Sequence, residues 1–223
     1  MYKAILYKEW LKIRWMVLGY LIILIGFLTY IGLDTRYWFE MNDPIQVWLV
    51  VIQRKILYYT AIKYIPVFAA IVLAIVQFVP EMVKKRYRLS FHLPIGETHS
   101  LLFMIAIGIG VMLITSAIYL LGLTLIGMTF FPVEVTRSSL MTVAPWLLAG
   151  IVTYLGATAV TVDPSWKYRI VYVLLFAPFI HSLFLEGGYS EYQFSFGTYL
   201  LISLIFSIIV LFPGYRLRKG SKL

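Results

Sequence analysis

The chemistry open to this chain is narrowed first by what its 223 residues lack. There is no cysteine, which removes thiolate nucleophiles, disulfides and cysteine metal sites together. Neither H-E-x-x-H nor a Gly-x-Ser-Gly serine with a partner histidine occurs, so the intramembrane metalloprotease and serine-protease patterns are missing. No G-x-x-x-x-G-K-[ST] phosphate loop is present, so the chain cannot cradle ATP in that way. His92, Glu97 and His99 form the densest group of metal-binding side chains. They flank the break at Pro94 and Gly96 with no matching fourth ligand, so no metal site is assigned.

One segment remains informative, PEMVKKRYRLSFHLPIGETHS, residues 80–100. Pro80 suits the first position of a helix and Glu81 its first turn. Val83, Tyr87 and Phe91 recur at four-residue spacing, and Lys84, Arg88 and His92 recur on an adjacent stripe. The spacing predicts an amphipathic helix over 80–93, ended by Pro94 and Gly96, with Glu97 and Thr98 supplying capping chemistry for the next helix. Two readings fit it: a docking element, or an ordinary basic interfacial loop. A shorter turn, VDPSW at 162–166, places Asp163 to cap a following helix with Pro164 at its first position.

Apolar segments carry a few further polar groups. Ala149, Thr153, Ala157 and Thr161 recur every four residues, a ridge of small side chains that suits either close helix packing or a hydroxyl-lined path. Gln77 reads as a packing hydrogen bond and His181 as a satisfied neutral histidine. Lys63 is expected near the headgroups, snorkelling outward. No apolar segment holds two carboxylates, so no pump-type proton relay is visible.

The elements that must position these groups follow from composition. Hydrophobic residues make up 61% and charged residues 13%, an apolar excess that no water-soluble core of this size can hide. Six spans are expected, at about 15–33, 56–79, 101–126, 143–162, 168–185 and 197–213, each near the length needed for a hydrocarbon core of roughly 30 Å. Ile45 to Ile52 is too short to cross and reads as an interfacial segment. The expectation is an all-α polytopic bundle of six transmembrane helices forming one domain over residues 1–223. No loop is long enough for a separate catalytic domain.

Charge then orients the bundle. With the N-terminus inside, 14 of the 19 Lys and Arg residues fall on the cytoplasmic side: Lys3, Lys8, Lys12 and Arg14; Lys84, Lys85, Arg86 and Arg88; Lys167 and Arg169; Arg216, Arg218, Lys219 and Lys222. That bias predicts both termini inside and an even number of spans. It also accounts for the net charge of +9 without invoking nucleic acid. Bulky DTRYWF follows the first apolar run where a signal peptide would need small residues, so that run is expected to be retained. Ahead of it, Leu6, Trp10 and Ile13 share one stripe and Lys8 and Lys12 another, predicting an amphipathic interfacial helix over 1–14.

Taken together, the order of elements resembles the permease subunits of type 2 (export-type) ABC transporters. The resemblance is carried by YKAILYKEWLKIRW running into the first span, by six spans in about 220 residues, and by Glu81, Arg86, Leu89, Leu93 and Pro94 after the second. It implies that 80–93 is the coupling helix that docks on a separate cytoplasmic ATPase, through Glu81, Lys84, Arg86, Tyr87, Arg88, Leu89, His92, Leu93 and Pro94. The usual small-residue turn after the acidic position is replaced here by Lys84, Lys85, Arg86 and Tyr87. The resemblance further implies ATP and Mg on the partner ATPase and no cofactor in this chain. It also implies a second permease chain, alike or related, and a multi-pass location in a bacterial inner membrane. A non-transporting membrane scaffold or accessory subunit would use the same helices.

Overall fold

The computed structural model describes residues 2–53, 56–83, 97–185, 189, 192, 194–213 and 216. Seven α-helices form among them: α1 Tyr2–Met41, α2 Pro44–Gln53, α3 Ile65–Val83, α4 Glu97–Phe130, α5 Val133–Val162, α6 Trp166–Ser182 and α7 Phe196–Ile209. No strand occurs among the described residues. The protein is a polytopic, all-α membrane protein. Among the described residues five stretches are long and apolar enough to cross a membrane: Lys3–Met41, Thr60–Val83, His99–Phe130, Val133–Val162 and Phe196–Pro213.

Apart from α2, successive helices alternate in direction, so the bundle has two ends. One end gathers the start of α1, the ends of α3 and α5 and the starts of α4 and α6. Contacts there join Lys12 to Glu81, Gln77 to Met104 and Arg216 to Asp163. At the opposite end Trp48 of α2 donates to the Phe130 carbonyl (3.3 Å), and Lys63 reaches the Phe184 carbonyl (3.5 Å). We call the first the basic end. Helix α6 also runs from one end to the other, but its 17 residues span only about 25 Å, the short limit for a crossing.

Helix α5 is the hub, flanked by α3, α4, α6 and α7. Its sequence explains why. In lipid, apolar side chains gain nothing from partnering each other rather than acyl chains, so association follows close packing, and α5 is rich in Gly, Ala and Thr. At Gly150 a Cβ would stand 2.9 Å from Pro66 Cβ and 3.2 Å from the Met112 methyl, so the missing side chain is what lets α3 and α4 close on α5. Two apolar cores result. The basic-end core includes Ile13, Leu73, Phe78, Val152 and Leu155, and the opposite one Leu24, Leu28, Tyr59, Tyr119 and Trp146.

Several expectations change. Residues 2–14 form no separate interfacial helix: they continue into α1, whose 40 residues extend about 60 Å without a break. Thr60–Ile62 is a 3-10 turn, and the second long helix starts at Ile65 rather than 56. Pro80 does not begin a helix. It lies inside α3, which continues to Val83. Of the expected coupling helix at 80–93, only residues 80–83 are described; Lys84, Arg86, Tyr87, Arg88, Leu89, His92, Leu93 and Pro94 lie outside the described residues. Helix α2, ten residues long, matches the short non-crossing segment anticipated at 45–52.

Candidate functional site

Among the described residues a cluster of charged groups is built where the ionic faces of α1 and α3 meet. On α1, Lys8, Glu9 and Lys12 project at helical spacing (i, i+1, i+4), and Glu81 stands on the last turn of α3. Lys12 Nζ lies 2.6 Å from Glu9 Oε1 and 2.9 Å from Glu81 Oε1, and it donates to the Gln77 carbonyl at 3.3 Å. Lys8 Nζ adds a second cation 2.8 Å from Glu81 Oε1. Glu9 is 0% and Glu81 3% exposed. Burying two carboxylates is tolerable because each faces an ammonium, and the group is neutral as a whole. The Glu9 carboxylate is held by its ion pair with Lys12.

From this ionic knot a hydrogen-bonded chain enters the bundle. Gln77, fully buried, donates from Nε2 to the Met104 carbonyl of α4 (2.7 Å) and accepts at Oε1 from the Tyr154 hydroxyl of α5 (2.7 Å). The packing hydrogen bond expected of Gln77 is thus a double one, tying α3 to two neighbours. Four helices, α1, α3, α4 and α5, meet through six polar side chains and the Met104 carbonyl.

A second staple lies at the same end. Asp163, fully buried after α5, accepts from the Ser165 backbone N–H (2.8 Å) and the Tyr172 hydroxyl (3.3 Å), and pairs with Arg216 (3.2 Å). The Arg216 guanidinium stacks 3.2 Å over the Tyr168 ring. Helix α6 starts at Trp166 with Ser165 before it, so Asp163 closes the end of α5 and ties Arg216 to it instead of capping α6 directly.

The remaining polar residues take structural positions. Thr153 is buried and donates to Ala149 O (2.7 Å); Thr161 donates to Thr158 O (3.0 Å). Thr153 and Thr161 therefore give their protons to their own helix, and Ala157 is half-buried beside them. Lys63 does not simply snorkel. It is half-buried, with its ammonium 5.4 Å from the Tyr64 ring and 5.7 Å from those of Trp146 and Phe184. His181 is exposed on the last turn of α6.

Sequence reasoning counted carboxylates within single apolar segments and so missed the meeting of Glu9 with Glu81. The signal available was the charge pair of Lys8 and Lys12 facing one way on an otherwise apolar helix, which calls for an acidic partner on whichever helix packs there. Among the described residues no group of three or more His, Asp or Glu could hold a metal ion. No protein-family model, curated protein or solved structure matches the chain.

Proposed function

We propose that this protein is the membrane-embedded permease subunit of an ATP-driven exporter of the type 2 ABC class. In this reading α1 and α3 to α7 make six crossings of a bacterial inner membrane, with the basic end and both termini in the cytoplasm. The chain pairs with a like or related permease chain, and two cytoplasmic ATPase subunits bind ATP and Mg and supply the energy. Segment 84–93 meets the ATPase, and its aromatic and arginine side chains, Tyr87 and Arg88 above all, suit a docking surface.

The observation that carries the reading is the anchoring of Glu81. This is the acidic residue of the pattern that resembles the family, and it is fixed by two lysines of the first helix three residues before the docking segment begins. A segment that receives force needs such a rigid root, whereas an idle basic loop does not.

Purification of the tagged chain in mild detergents tests it. The expected outcome is co-purification of an ATP-binding subunit, lost or uncoupled when Tyr87 and Arg88 are both replaced by Ala while membrane insertion is retained. Recovery of no ATP-binding subunit in any detergent would replace this reading with a membrane scaffold.

A further inference from the structure

Resting on that reading, we propose that Lys12 is an exchangeable pivot. It releases the end of α3 from α1 by passing its charge wholly to Glu9, so that motion of the segment after Val83 reaches the hub helix α5.

The geometry of the two counter-ions carries the inference. Lys12 has one on its own helix, Glu9 at 2.6 Å, and one on α3, Glu81 at 2.9 Å. If α3 moved away from a lysine with a single partner, a mostly buried ammonium would be stranded, which is severely unfavourable. With Glu9 in place the ammonium stays neutralised at every stage. Glu81 loses nothing comparable, because Lys8, half-exposed in its side chain, can follow it toward water. Glu9 already holds Lys12 at 2.6 Å, so the contact needs no rearrangement when Glu81 leaves. The pivot would pass from this arrangement, Lys12 shared by both helices, to a second in which Glu9 alone holds it.

What moves with α3 is fixed by the same cluster. Gln77 sits one helical turn before Glu81, and its two side-chain bonds go to Met104 and Tyr154. A shift of the α3 end breaks its Lys12 link to α1, leaving only the flexible Lys8 tether, while retaining the links to α4 and α5. Helices α3, α4 and α5 would move as one body against α1.

The absence of cysteine gives a direct test. Cysteines at Leu33 on α1 and Val133 on α5, both exposed at the opposite end, accept spin labels in the complete complex. Labelled permease is diluted with unlabelled permease so that only distances within a chain are read. The wild-type distance should shift when the complex is trapped with ATP and vanadate. E9Q should keep ATPase association but lose the shift, because Lys12 can then be neutralised only by Glu81. K12Q should uncouple α1 from ATP, and K12R should restore the shift. A full shift in E9Q overturns the pivot while leaving the permease reading intact, as does a wild-type pair that does not move. Failure of any ATPase to associate with the wild-type chain overturns both. If K12Q fails to assemble, E9Q alone decides.

Discussion

The hydroxyl of Tyr154 on α5 occupies the space that a Cβ at Gly108 on α4 would need. That contact aims the phenol at Gln77, to which it donates at 2.7 Å. Gly108→Ala should therefore be costly although both residues suit a helix. The added methyl overlaps the hydroxyl and the ring carbon that bears it, so the ring must turn away and the bond to Gln77 is lost. Overpacking of this kind costs about 1–3 kcal/mol, and thermal unfolding in detergent should show the loss. An unchanged melting temperature would mean that Tyr154 has another rotamer available.

The bond itself can be weighed by a double-mutant cycle on Gln77→Leu and Tyr154→Phe. Each single change leaves one buried polar group of the pair without its partner, at a cost on the order of 1 kcal/mol. The double mutant should lose less than the sum, since the group stranded by each change is removed by the other. Strict additivity would show that the two groups are not coupled.

These contacts also show where sequence reading reaches its limit. Hydropathy is a local property, so the long apolar helices and the short α2 could be anticipated from segment composition alone. Pro80 misled because proline normally opens a helix. Its missing N–H removes one backbone bond, yet inside the last turn of α3 that loss is tolerated next to packed neighbours. Lys12 and Glu81 stand 69 residues apart, and nothing in helical periodicity says which two helices become neighbours. Lys63 is expected near the headgroups, but the rings that surround it come from three separate segments. Segment length and polarity were legible, and lateral neighbours were not.

Tyr119 offers the opposite case to Tyr154. It is fully buried in the core away from the basic end, and its hydroxyl has no hydrogen-bond partner. Burying an unsatisfied hydroxyl is itself unfavourable by about 1–3 kcal/mol. Tyr119→Phe should therefore leave thermal stability unchanged or raise it, while Tyr154→Phe lowers it. Destabilisation of the Tyr119 variant to the same degree would reveal a bridging water that satisfies the phenol.

The orientation proposed for the bundle yields a prediction that needs no knowledge of substrate or partner. Lys and Arg are strongly asymmetric between the two sets of connections, and such asymmetry sets which side remains in the cytoplasm. The fold sets the relative placement of the two ends: the start of α1 and Arg216 lie at the same one, held by Lys12 to Glu81 and by Arg216 to Asp163. One absolute measurement then orients every helix. In intact cells a membrane-impermeant maleimide should label a cysteine placed at Gly188 and fail to label one at Lys85 until the cells are opened. Because no native cysteine competes, the signal is unambiguous. Labelling of Lys85 alone would turn the bundle over and carry the docking segment away from any cytoplasmic ATPase. Labelling of both positions from outside would mean that an even number of crossings separates them, and α6, with its 17 residues, would be the first helix to re-examine.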